Sequence, residues 1–158
     1  VENVTIEHPI TLLGGFAGNE DLASERDWTA NVTAVQASNF GPVIRILEAS
    51  QCVVDGLRIS KGHWNPGGGI SVTNASAEVC NCIILENRGA GGGSGGGVGV
   101  SAGFLKLTNT EIRNNDGNFG GGGIKCRDST VEVYKCNLSQ NTAGAGGAIS
   151  LRICQQIT

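Results

Sequence analysis

Three basic side chains are the first residues whose types and spacing could do chemistry. Lys125 and Arg127 lie two apart in an alternating run, and Arg152 lies one repeat further on. Alternation puts Lys125 and Arg127 on one outer strand face. That face suits a carboxylated or otherwise anionic ligand, and Trp64, in the loop Lys61-Gly62-His63-Trp64-Asn65-Pro66, offers a ring on which a sugar could stack. Acidic chemistry is harder to assemble. Asp128 and Asp116 are isolated acids and make no calcium cage. Adjacent repeats offer no facing carboxylate pair of the kind a glycoside hydrolase needs. His8 and His63 stand alone, and no Cys or His spacing reads as a zinc site. No catalytic residue, metal site or cofactor is therefore assigned.

The elements that must position these residues are repeats. Gly67-Gly68-Gly69-Ile70, Gly95-Gly96-Gly97-Val98, Gly121-Gly122-Gly123-Ile124 and Gly146-Gly147-Ala148-Ile149 open successive copies. Each complete copy closes with an aliphatic residue and an Asn three positions later: Ile84 and Asn87, Ile112 and Asn115, Leu138 and Asn141. Ile44, Ile70, Val98, Ile124 and Ile149 are spaced by 26, 28, 26 and 25 residues. A period in the twenties is that of a solenoid, whose coils bury their apolar faces only by stacking.

Alignment of the copies predicts three short strands per coil. The first inward columns are Ile44/Ile46, Ile70/Val72, Val98/Val100, Ile124/Cys126 and Ile149/Leu151. The second are Cys52/Val54, Ala77/Val79, Leu105/Leu107 and Val131/Val133. The third are Leu57/Ile59, Cys82/Ile84, Thr110/Ile112 and Cys136/Leu138. Between the second and third strands the alternation changes parity, which requires a corner residue. Asp55, Asn81, Asn109 and Lys135 are the candidates; Asp and Asn tolerate a left-handed backbone, and Lys135 fits that role less well. Asn87, Asn115 and Asn141 should stack as a structural ladder of amides at another corner. Glu78, Lys106 and Glu132 form a charge column that fixes register.

The expected fold is thus all-β, a parallel β-helix of about five coils at about 4.8 Å spacing. Residues 1–40 read as irregular strands with a capping loop, and 41–158 as coils, with regular coiling from Gly41. Asn19 to Trp28 reads as one helical turn, capped by Asn19, in an acidic loop covering the bottom coil.

The repeat openings and closures resemble those of polymorphic outer-membrane proteins and their secreted relatives, which are right-handed parallel β-helix repeat proteins. Leu13-Gly14-Gly15-Phe16-Ala17-Gly18-Asn19-Glu20, Arg26-Asp27-Trp28 and Val54-Asp55-Gly56-Leu57-Arg58-Ile59 are similar to segments of the same family. Ile or Leu stands where the closing motif of that family usually has Phe. The resemblance implies an extracellular or cell-surface protein and no particular reaction.

Composition is consistent with that class. There are 26 Gly among 158 residues, yet 39% are hydrophobic, so the chain is not a disordered Gly-rich tract. The net charge of -3 argues against a nucleic-acid partner, and no apolar run is long enough to insert in a membrane. The sequence starts at Val1 and has no Met, which suggests a processed chain or a piece of a longer one. Its last residues fall partway into a coil, and that end is expected either to continue in a longer parent chain or to self-associate end to end. Asn3, Asn31, Asn74 and Asn137 open N-x-Ser/Thr sequons and are N-glycosylation candidates. None of the six cysteines finds a bonding partner in a neighbouring column position, so Cys52, Cys82, Cys126 and Cys136 are expected as buried thiols, with six thiols in all.

Two functions follow. The first is a non-catalytic extracellular β-helix, structural or adhesive, in a surface layer or fibre. The alternative is a carbohydrate-active β-helix, lyase-like or binding acidic polysaccharide through Lys125, Arg127 and Arg152. An ice-binding array is discounted, because Thr108 and Thr110 occur in one coil only.

Overall fold

The computed structural model describes residues 3–38, 40–92 and 94–152. Among the described residues, eighteen strands and one short 3₁₀ turn form a parallel β-solenoid with three sheets per coil. The first sheet contains β1 (Val4–Ile6), β4 (Ile44–Leu47), β8 (Ile70–Thr73), β12 (Val98–Ser101), β15 (Ile124–Arg127) and β18 (Ile149–Arg152). The second contains β2 (Thr11–Leu13), β5 (Cys52–Asp55), β9 (Ser76–Cys80), β13 (Phe104–Thr108) and β16 (Thr130–Tyr134). The third contains β3 (Thr33–Gln36), β6 (Leu57–Ser60), β10 (Ile83–Leu85), β14 (Glu111–Arg113) and β17 (Asn137–Ser139). A two-stranded sheet pairs β7 (His63–Trp64) with β11 (Arg88–Gly89).

The registers are those the aliphatic columns dictate. Val79 pairs with Leu107 and Leu107 with Val133, all in parallel. Ile44, Ile70, Val98, Ile124 and Ile149 stack in one column of the first sheet. Ile59, Ile84, Ile112 and Leu138 stack in the third. Ile46, Ile59, Ile70, Ile84, Leu105, Leu107, Ile112 and Ile124 are fully buried, so the core is a rod along the solenoid axis. The glycine triplets sit where successive coils come closest. A Cβ on Gly97 would press into the carbonyl of Gly123, the Ile112 side chain and the Asn115 amide, which explains a residue with no side chain there.

Three columns of left-handed residues turn the coil. They are Glu48, Asn74, Ala102 and Asp128 after the first strand; Asn81, Asn109 and Lys135 after the second; and Lys61, Glu86, Asn114 and Gln140 after the third. At the second corner Asn81, Asn109 and Lys135 stand where the alignment placed them, and one candidate, Asp55, is corrected. Asp55 is the last residue of β5, and its neighbour Gly56, at φ 73°, takes the left-handed place. Lys135 adopts φ 52° despite its unsuitable residue type, because parallel register with Asn109 leaves no other way round the corner. Residues just past this corner brace it: Cys82 Sγ donates to Cys80 O at 3.1 Å, Thr110 Oγ1 to Thr108 O at 3.0 Å, and Cys136 Sγ to Tyr134 O at 3.4 Å. The Cys/Thr column therefore supplies polar staples as well as apolar bulk.

Coiling begins earlier than Gly41. β1, β2 and β3 pair in parallel with β4, β5 and β6 and form a first coil, which residues 14–32 interrupt as a long excursion. That excursion does not form the expected turn capped by Asn19. It contains only a 3₁₀ turn at Ala23–Glu25, and Glu25 accepts the N–H groups of Asp21 and Leu22. Glu20 instead clasps the preceding loop, accepting from the N–H groups of Ala17, Gly18 and Asn19. The backbone N–H of Ala17, first among these, holds the Glu20 carboxyl below its ordinary range. Trp28 packs along the second corner and lines a hollow with Gly56, Leu57, Asn81 and Ile83.

The cysteine expectation also fails in part. Cys126 is buried but disulfide-bonded. The comparison of like column positions missed this bond. A disulfide needs only Cα atoms about 4.4–6.8 Å apart, which a match of like column positions does not test. Cys52, Cys80, Cys82 and Cys136 are free, with Cys136 only half-buried; Cys154 lies outside the described residues.

Candidate functional site

The first sheet's outer face carries two side-chain columns. One runs Arg45, Ser71, Gly99, Lys125, Ser150; the other runs Leu47, Thr73, Ser101, Arg127, Arg152. Gly99 interrupts the first column, and that gap shapes the site. Pro66 lies directly against Gly99, where any Cβ would collide with the Pro66 carbonyl. The loop is tied down by the bond from Gly95 N–H to Pro66 O and by the bridge between Gly67 and Gly95. The result is a cleft of about 180 Å³ lined by Asn65, Pro66, Thr73, Gly92, Ser101, Lys125 and Arg127.

Lys125 Nζ donates to Ser150 Oγ at 3.0 Å, which leaves two of its three protons for other acceptors. Arg127 contacts Asp128 through Nε at 3.4 Å, an exposed pair that leaves the two Nη groups outside that contact. Among the described residues no carboxylate lines the cleft. Its electrostatics are therefore two cations with one counter-ion at the margin, beside two hydroxyls and one amide.

The other site residues fall elsewhere. Trp64 does not line the cleft. Its ring is packed edge-on against Phe40, with centroids 5.5 Å apart, and its carbonyl accepts from Ala90 N–H. It thus anchors both loops that wall the cleft. Arg152 is the register partner of Arg127 and is exposed, but it does not line the cleft either. Asn65, Thr73 and Ser101 are the residues that sequence reasoning missed. Thr73 and Ser101 were visible as an outward column with Arg127; the descent of the loop onto Gly99 was not.

The three asparagines form a structural ladder, with Asn87 and Asn115 buried and Asn141 half-buried. Asn87 Nδ2 donates to Asn115 Oδ1 at 3.1 Å, and Asn115 Nδ2 donates to Asn141 Oδ1 at 3.0 Å. The same oxygens accept the backbone N–H groups of Asn87 and Asn115. A second ladder had not been anticipated: Asn109 Nδ2 donates to Asn81 Oδ1, Asn81 Nδ2 to Asp55 Oδ1, and Asp55 is ion-paired with Arg26. Lys106 Nζ lies 3.0 Å from Glu78, an exposed pair between coils that raises the lysine pKa through the Glu78 hydrogen bond.

Among the sequons, Asn3, Asn74 and Asn137 are exposed. Asn74 sits at a left-handed corner, and Asn137 opens β17. Asn31 is half-buried and donates to Gly15 O at 3.3 Å. Among the described residues no group of three His, Cys, Asp or Glu side chains is placed to hold a metal, and no helix is long and apolar enough to cross a membrane. Comparison with family models, with curated proteins and with solved structures finds no match for this chain.

Proposed function

We propose that this chain is a non-catalytic β-helix of the extracellular space or cell surface, structural or adhesive in role, of the polymorphic outer-membrane protein type. The observation that carries this reading is the use to which its polar side chains are put. The two corner ladders and the Glu78–Lys106 pair all join one coil to the next. Side chains spent on stacking give a stiff rod, which suits a fibre, a surface layer or a stalk for adhesion. The disulfide at Cys126 supports an oxidising compartment. Asn3, Asn74 and Asn137 are open to glycosylation in a host that performs it.

The alternative, a carbohydrate-active β-helix, is favoured by the Lys125/Arg127 cleft alone. Incubation with pectin and alginate, with and without calcium, separates the two. The expected result is no release of reducing ends or unsaturated products. Turnover lost on Lys125→Ala would overturn the non-catalytic reading.

A further inference from the structure

We infer that the cleft between the Asn65–Pro66 loop and β15 is a subsite for one uronic-acid residue of an acidic polysaccharide. This inference deepens the adhesive reading by naming the ligand class, and it rests on that reading.

Charge is the first argument. Lys125 and Arg127 face the cleft, and Asp128 offsets part of that charge at its edge. The surplus is about one positive charge, which matches a carboxylate better than a phosphate dianion. A guanidinium with both Nη groups outside its existing contact presents a planar fork that fits the two oxygens of a carboxylate. Lys125, with two protons left, supports the same group as a point charge.

The neutral lining is the second argument. Thr73 and Ser101 stand one coil apart in register with Arg127, and Asn65 lines the same cleft. Such groups donate to and accept from ring hydroxyls, whereas a bare anion needs donors only. Pro66 and Gly92 add apolar surface for the ring's C–H edges. A volume of about 180 Å³ is too small for most cofactors, which occupy sites of about 300–1,000 Å³. It suits a single sugar ring whose chain continues along the open face.

The third argument is preorganisation. The wall is held by the Gly95–Pro66 bond, by the Ala90–Trp64 bond and by the packing of Phe40 on Trp64. The floor is parallel sheet. Little ordering accompanies binding, so even a small contact set can give measurable affinity.

The test uses trigalacturonate as probe, with neutral galactotriose and inorganic phosphate as comparison arms, in titrations followed by calorimetry and by amide chemical shifts. Trigalacturonate should bind, with shifts at Thr73, Ser101 and Arg127. Galactotriose should bind at least about tenfold more weakly, because the charge-assisted bonds are lost. Lys125→Ala and Arg127→Ala should each weaken trigalacturonate by about tenfold. Ser101→Ala should weaken trigalacturonate and leave phosphate unchanged. Absence of binding, equal binding of galactotriose, or phosphate competing at comparable concentration would each overturn the subsite. Mass spectrometry of the recovered probe keeps the two readings apart. Cleaved trigalacturonate sinks the non-catalytic reading and leaves the subsite standing; intact, unbound probe sinks the subsite and leaves the scaffold.

Discussion

Replacing Asn115 with alanine should cost more than its one side chain suggests. Asn115 is 1% exposed and makes four side-chain hydrogen bonds. Its Oδ1 accepts the backbone N–H and the side-chain amide of Asn87. Its Nδ2 donates to Ile84 O at 2.9 Å and to Asn141 Oδ1. Not all of these partners would be stranded. Asn87 Nδ2 keeps Ile59 O, and Asn141 Oδ1 keeps the Asn115 N–H. The Asn87 N–H loses its acceptor while buried, at about 1–3 kcal/mol, and the remaining net bonds add about 1 kcal/mol. The total is about 2–4 kcal/mol, which for a domain of this size lowers Tm by roughly 5–15 °C. Urea unfolding followed by circular dichroism would measure it. Asn141→Ala, at a half-buried position, should cost less. Asn114→Gly, one residue earlier at an exposed left-handed corner, should change little. A loss below about 0.5 kcal/mol for Asn115→Ala, or one no larger than that of Asn114→Gly, would show that the ladder does not hold the coils together.

Four further outcomes are expected. Thiol titration of the unfolded, unreduced chain should find four thiols, those of Cys52, Cys80, Cys82 and Cys136, and reduction should release more; six before reduction would contradict the Cys126 disulfide. Burial pushes the Cys82 thiol up to about 12 from an ordinary 9.0. A folded-state pKa above the unfolded one gives stability that is complete below pH 9 and declines as pH rises toward 12; a Tm constant from pH 8 to pH 11 would refute that shift. Arg26→Ala should destabilise by about 2 kcal/mol, since it leaves a mostly buried Asp55 carboxylate with only the neutral partners Asn81 and Cys80; it should also hasten proteolysis within residues 14–32, and unchanged cleavage there would count against Arg26 fastening that excursion. Ser71→Ala should be neutral or stabilising by up to about 1 kcal/mol, because the Ser71 hydroxyl is fully buried without a partner; a loss above about 1 kcal/mol would reveal a bonding role.

Strand register was legible because the signal is redundant. Aliphatic residues two apart fix one strand's faces, and their return every 25–28 residues fixes its neighbours. The Asn columns were legible for the same reason. What failed was whatever depends on one residue or on a meeting of distant segments. Residue type did not favour Lys135 at its left-handed corner, where the alignment rightly placed it. Asp55 and Gly56 are adjacent and both suit a turn, so alignment alone chose the wrong one. The first coil was hidden because residues 14–32 separate β2 from β3 and destroy the period. In the cleft, Lys125 and Arg127 could be read as an outward pair. Asn65, Thr73 and Ser101 join them only because Gly99 lets a loop close onto the sheet, and one glycine among 26 carries no such message.

The corner ladders also explain the attachment of the long excursion. Along the second corner each amide donates toward the first coils: Asn109 to Asn81, and Asn81 to Asp55. A ladder with that polarity must begin at an acceptor, and a carboxylate is an acceptor only. Its charge then needs a cation, because both partners are largely out of water, with side chains 13% and 14% exposed. Arg26 supplies it and uses its other Nη to hold Gly14 O, the point where the excursion leaves the coil. Trp28 follows into the hollow beside Gly56. The Arg26-Asp27-Trp28 segment thus fastens the insertion to the start of the ladder. With Asp55, Asn81 and Asn109 occupied at one corner, and Asn87, Asn115 and Asn141 at another, these polar columns are committed to stacking. The first sheet's outer face is different, since Thr73, Ser101 and Arg127 run across three coils beneath a fixed loop with their polar ends turned to solvent. A rod built this way presents its chemistry on that face.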